Sequence, residues 1–393
     1  MSASRLKQRV VSHRTSSYYR MVAARGMVSM ALIVAGCQDL PEIEYKGEKV
    51  RVGVYGDAQL CAGDIARMDA FVRQVERDLD AHANERIDVY LYDLFDPPSS
   101  MPKGCDRGGC FDRKNERVFT SSLSLEHELV HAVVHRIGRP ADIFYNEGIA
   151  EALTDARTIF GRTLPGDNLG RSERSHEARE TLDVQTAAHF VRWLWEEHDR
   201  ESLRRLARGS SLADAYDWSF AEAEAAYLTD APWAYPRRHP CSAPPMASVG
   251  ELEWDETFSF SCEDENTFTM DVYSEYPEGG WYARHVVRTV AIERGGTFDV
   301  ARSDHAPDAV FLLRCQLEPI AEAPRQHPSH EDWSILAEQE HRTRSFRRPS
   351  LFALSGQLSR VRLEPGVYEL VVREPRDVES VRVRITPALE VQR

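Results

Sequence analysis

The segment His127-Glu128-Leu129-Val130-His131 sets two imidazoles four residues apart, with a carboxylate beside the first. On a helix this spacing puts both rings on one face, about 6 Å apart along the axis. Two imidazoles so placed can converge on one zinc ion at about 2.0–2.1 Å. Glu128, turned about 100° from His127, can reach a water there and take its proton without ligating the ion. Leu129 and Val130 face the opposite way and can pack into a core. The chemistry this implies is metal-assisted hydrolysis, with His127 and His131 as ligands and Glu128 as general base. His135 continues the series but lies about 12 Å along the axis from His127, out of reach of the same ion on a straight helix. It reads as a surface or supporting histidine, and Glu126 as a solvated charge.

A third ligand must come from another element. After a helix break at Gly138-Arg139-Pro140 comes Asn146-Glu147-Gly148-Ile149-Ala150-Glu151. With the His-Glu-x-x-His segment before it, this resembles the NEGFA element of gluzincin zinc metallopeptidases, the clan of thermolysin and aminopeptidase N. The resemblance covers about residues 50–228. It implies Zn²⁺ as cofactor, Glu147 as third ligand on a second helix returning against the first, and a peptide or protein substrate. The gap from His131 to Glu147 is a few residues shorter than in aminopeptidases, which implies a tighter connection. Glu151, one turn beyond Glu147, suits a partner that orients a ligating imidazole. Where aminopeptidases carry an oxyanion-stabilising Tyr, the matching position here is Val184. His189 is then the candidate donor, against the alternative of a packed or surface helix histidine. The aminopeptidase GAMEN-type motif is missing, so exopeptidase activity has no support.

The elements expected to position these groups follow from periodicity. Val50–Tyr55 and Arg86–Tyr92 read as strands. Asp64–His82 reads as a helix, with Ile65, Met68, Phe71, Val72, Val75 and Leu79 on one side. Residues 95–115 read as loop, and Arg117–Thr120 as a short edge strand, which by the resemblance would pair with extended substrate. Helices are predicted at about 123–137, 146–158, Thr186–Arg208 and Leu212–Leu228, with loops at 161–180 and 320–350. Pro236–Gly250 is a Pro-rich linker. Beyond it apolar residues alternate, as in Phe258/Phe260/Cys262 and Val381/Val383/Ile385, with Gly-Gly and Pro-Gly turns, the pattern of an antiparallel β-sandwich. Leu363–Leu370 faintly resembles bacterial pre-peptidase C-terminal modules. The expected class is an α+β metallopeptidase domain (50–235), strand-helix-strand above and helical below, followed by an all-β sandwich (251–393).

Residues 1–36 carry six basic side chains and no acidic one, although the 393-residue chain has a net charge of −14. Met27–Gly36 is apolar but too short to span a bilayer. Val34-Ala35-Gly36-Cys37 resembles the lipobox of bacterial lipoproteins, which implies cleavage before Cys37, its diacylation, and a location in the cell envelope anchored by lipid. Met21 would give a more typical signal length than Met1. Residues 37–49 then form a polar tether. The acidic remainder, without a basic stripe, argues against nucleic-acid binding. Besides Cys37 there are six cysteines, an even number that suits disulfides in an exported protein. If Cys61, Cys105, Cys110, Cys241, Cys262 and Cys315 all pair, at least one bridge joins the two halves. A zinc knuckle from Cys105 and Cys110 is the weaker reading. The leading function is a lipid-anchored zinc metallopeptidase; the alternative is a non-catalytic zinc-holding binding lipoprotein on a peptidase fold.

Overall fold

The computed structural model describes residues 40–388, apart from 83–84, 94–95, 103–104, 106–107, 139, 141, 155–183, 233–234, 236–242, 271–283, 304–309, 316–350, 355–357 and 375–378. The expected signal segment, Cys37, Cys241 and the loops expected at 161–180 and 320–350 lie outside the described residues. The chain from Asp39 onward forms one compact unit. It mixes helices with one largely parallel and two antiparallel sheets.

The first sheet has the order β1-β2-β3-β5-β4, formed by Ile43–Lys46 (β1), Val50–Val54 (β2), Ile87–Leu91 (β3), Gly109–Asp112 (β4) and Arg117–Thr120 (β5). The central β2, β3 and β5 run parallel, and β1 and β4 are antiparallel edges. Two expectations are corrected here. The tether contains strand β1, because Asp69 accepts the backbone N–H groups of Glu48, Lys49 and Val50 at 2.6–3.1 Å and pins the β1–β2 turn. The edge near the histidines is β4 and not β5, within a stretch that reads as loop: four residues held beside a disulfide carry no periodic signal of their own.

Helix α1 (Ala62–Leu79) covers this sheet with Met68, Val72, Val75 and Leu79, all buried. Burying one such side chain stabilises by roughly 1.5–3 kcal/mol. Helices α2 (Leu125–Ile137) and α3 (Ile143–Leu153) follow, α3 opening at Asp142, whose side chain accepts from Phe144 N at 2.7 Å. The long helix expected from Thr186 is two, α4 (Val184–Glu197) and α5 (Arg200–Ala207). Asp199 accepts from Glu201 N and Ser202 N and starts the second. The next also divides, into α6 (Leu212–Tyr216) and α7 (Phe220–Asp230), with a Ser219/Glu222 capping box at the restart. Phe144, Phe190, Trp193 and Tyr227 knit α3, α4 and α7 together.

Beyond these helices lie two five-stranded antiparallel sheets. The first has the order β13-β10-β15-β7-β6: Leu358–Leu363 (β13), Gly296–Arg302 (β10), Ser380–Pro387 (β15), Glu253–Ser259 (β7) and Ser248–Gly250 (β6). The second has the order β12-β11-β14-β9-β8: Leu351–Leu354 (β12), Val310–Arg314 (β11), Gly366–Arg373 (β14), His285–Ile292 (β9) and Thr267–Phe268 (β8). Inward residues of both, among them Phe258, Phe298, Leu312, Leu370, Val383 and Ile385, share one core, an arrangement compatible with the expected sandwich. The C-terminal part of the linker belongs to it: Met246 is buried there and β6 pairs with β7.

The Cys61–Cys262 disulfide joins the halves across 201 residues, the kind of bridge the even cysteine count anticipates. Beside it Asp64, fully buried, accepts from Thr269 N, Thr269 Oγ1 and Met270 N at 2.6–3.2 Å. Cys105 and Cys110 are bonded to each other, which removes the zinc-knuckle reading, and Cys315 is also disulfide-bonded. No helix among the described residues is long and apolar enough to cross a membrane.

Candidate metal centre

Helix α2 presents one side to the core through Leu129, Val130 and Val133, all buried, which turns His127 and His131 outward together. Their Nε2 atoms lie 3.0 Å apart. Helix α3 returns against α2 and brings Glu147 Oε2 to 3.2 Å from His127 Nε2 and 3.3 Å from His131 Nε2. Among the described residues this is the cluster able to hold a metal ion. Two nitrogens and one carboxylate oxygen form a triangle with sides of 3.0–3.3 Å. Tetrahedral zinc with bonds of about 2.0–2.1 Å has ligand–ligand edges of about 3.3–3.4 Å, so donor types and spacing both fit the ion. The three side chains keep 12–18% exposure, enough for solvent to reach them.

The Nε2 atoms can face inward because each Nδ1 is engaged on the other side. His127 Nδ1 lies 2.9 Å from Glu151 Oε2, and His131 Nδ1 lies 3.2 Å from the Asn146 side-chain amide. Such partners fix ring orientation. Glu151 thus sits where its helical offset from Glu147 puts it. Asn146 was not assigned a role from the sequence; its place immediately before Glu147 was the available signal. Glu128 is buried on the same helix turn, and its charge acts on His127.

The electrostatics are those of a crowded polar cluster. Burial alone would lower the His127 pKa, but the hydrogen bonds it donates to Glu147 and Glu151 and the charge of Glu128 push it up to about 10. Burial alone would raise Glu147, yet His127 and His131 hold its carboxyl well below the usual carboxylate range. A cation is welcome here.

Gly148 explains why the second helix can sit so close. A Cβ at this position would lie 2.7 Å from Val191 Cγ2 and 2.8 Å from the Ala187 carbonyl oxygen. Only a glycine lets α3 approach the α4 backbone in this way, which sets the depth of its neighbour Glu147.

Other candidates lie elsewhere. His135 rests against the Phe111 ring at 5.2 Å, outside the cluster. His189 is fully buried among aromatic side chains, with Nδ1 2.8 Å from Tyr227 Oη and its ring beside Tyr235. That is the setting of a packed histidine and not of an oxyanion donor. Val184 is the first residue of α4 and supplies no hydroxyl. Glu126 is a correction: it is buried and paired with Arg67 of α1 at 3.0 Å, because its helix face meets α1 and not water.

No family model matches this chain, and neither does any curated protein.

Proposed function

We propose that this chain is an exported, lipid-anchored zinc metallopeptidase of gluzincin type. The observation that carries the reading is the convergence of His127, His131 and Glu147 on one point, with Glu128 on the adjoining helix face. Bound zinc would supply Lewis acidity, polarising a scissile carbonyl and making water more acidic. His127, His131 and Glu147 would hold the ion, while Glu151 and Asn146 keep the two rings in register. The Glu128 carboxylate takes a proton from the attacking water and delivers it to the leaving amine. Edge strand β4, beside α2, offers backbone groups to an extended peptide. In this reading residues 50–235 are the peptidase domain and 251–393 an appended sandwich. The anchor is a diacylated Cys37, which places the enzyme in the bacterial cell envelope; Cys37→Ser is expected to abolish lipid labelling and release the protein from membranes.

A second reading, a zinc-holding lipoprotein without catalysis, is favoured by one observation: neither Val184 nor the enclosed His189 offers a donor to a developing oxyanion. Metal analysis of the purified protein, followed by peptide-library cleavage with and without chelator, separates the two. Zinc with chelator-sensitive cleavage supports the peptidase. Zinc without cleavage supports the binding protein.

A further inference from the structure

Gly109, the first residue of strand β4, passes directly over Glu128. Gly109 pairs with Thr120 of β5, and a Cβ built on it would lie 2.9 Å from Thr120 Oγ1, 3.0 Å from Glu128 Cγ and 3.1 Å from Glu128 Oε1. These are tighter than ordinary van der Waals contact, so a side chain at 109 would press on both neighbours. Thr120 is fully buried, and its hydroxyl donates to the Ser121 carbonyl oxygen at 2.9 Å. Of the two, Glu128 has the longer and more flexible side chain, so its carboxylate takes the larger share of the displacement.

The backbone carrying Gly109 is itself held from several directions. The Gly108 carbonyl oxygen accepts from Ser121 N at 3.2 Å and Ser121 Oγ at 3.3 Å. Tyr92 Oη donates to the Cys105 carbonyl oxygen at 2.7 Å, and the Cys105–Cys110 bridge closes the turn across Gly109. Gly109, so tied, presents backbone with no side chain where it faces Glu128.

We infer that Gly109 is a positioning residue: its missing side chain, on a strand clamped by the Cys105–Cys110 bridge, forms the seat that sets the Glu128 carboxylate in its working rotamer. The inference rests on the general-base reading of Glu128. It adds that the base is aimed from the sheet edge as well as by its own helix, so β4 combines two tasks. Gly109 has no left-handed φ to protect, so alanine fits its backbone and its methyl group acts on Glu128 and the Thr120 hydroxyl.

The test is Gly109→Ala, alone and combined with Glu128→Gln, in the full-length protein. Gly250→Ala serves as control, its new Cβ meeting nothing closer than 3.6 Å. With a displacement of a few tenths of an ångström, kcat is expected to fall by about 3- to 10-fold while KM and zinc content stay near wild type. In the Glu128→Gln background the same substitution should change residual turnover less than about twofold, because the group it displaces no longer acts. A second readout needs no activity: carbon-13 carboxyl spectra of glutamate-labelled protein, with the Glu128 signal assigned by its loss in Glu128→Gln. That signal should shift in Gly109→Ala and stay in place in Gly250→Ala. An unmoved Glu128 signal, or an equal loss of turnover in both backgrounds, overturns the seat. If the wild type cleaves nothing, the peptidase reading fails by itself, and the spectra still decide whether Gly109 positions Glu128.

Discussion

The two halves of the molecule put ion pairs to opposite ends. Around α2 and α3 the charges are enclosed, and Glu147 and Glu151 both reach imidazole nitrogens of His127 at 2.9–3.2 Å. On the outer face of the sheet containing β10 and β15, Arg360 pairs with Asp299 and Arg382 with Asp255, each at 2.7 Å. Those arginines are more than half exposed. Their hydrogen bonds lower the pKa of Asp299 and Asp255, but water screens the pairs and little stability depends on them. Burial separates the cases. Enclosed charges orient groups and change their proton affinity, whereas screened ones keep a sheet face soluble.

The sharpest way to break this comparison is Glu128→Gln, which removes one enclosed charge and leaves the helix intact. Turnover is expected to fall by about 10²–10⁴-fold with zinc retained, read from steady-state cleavage and metal content together. Unchanged cleavage would show that the enclosed charge does no chemistry.

Next in size is the effect of pH on metal affinity. Zinc needs the lone pair of His127, whose pKa of about 10 means that it carries a proton at neutral pH. Affinity should therefore rise with pH, by about tenfold per unit between roughly pH 7 and 9, with about one proton released per ion bound. Titration calorimetry in buffers of different ionisation enthalpy reads that proton directly. Affinity that stayed flat over this range would mean that the cluster does not raise the pKa of His127.

A smaller effect is expected at Gly148. Gly148→Ala forces a methyl group against the Ala187 carbonyl and Val191, which should destabilise the fold by about 1–3 kcal/mol in denaturant unfolding. It should also weaken zinc binding by moving Glu147 outward. The smallest effect belongs to the sandwich: Arg360→Ala with Arg382→Ala should leave Tm and zinc affinity within experimental scatter. A clear drop in Tm would put those pairs on the same footing as the enclosed ones.

How much of this was legible in the sequence depended on whether geometry is local. His127, Glu128 and His131 share one helix, so their spacing alone fixed their relation, and the same rise per residue excluded His135. Glu147 and Glu151 needed the resemblance, because the approach of α3 to α2 is set by Gly148 against α4, a contact far along the chain. Asn146, Gly109 and the Arg67–Glu126 pair were missed for that reason: their roles exist only across elements. Strand β4 leaves no periodic trace, because a disulfide and its pairing with β5 hold it in place. Helix ends are hidden where Asp199 and Ser219 start new helices inside runs that stay apolar on one side. The sandwich was readable from period-two alternation, although its first strand lay within the expected linker.

The central claim is that one zinc ion is held by His127, His131 and Glu147, with Glu151 supporting from behind. Zinc content of purified wild type, Glu147→Ala, Glu151→Ala and His135→Ala, each dialysed against the same weak chelator, tests it most directly. One equivalent is expected in wild type and in His135→Ala, and none in Glu147→Ala. Glu151→Ala should retain zinc with affinity weakened by about 10- to 100-fold. Wild-type protein without zinc, or a set in which His135→Ala loses the most, would contradict the assignment.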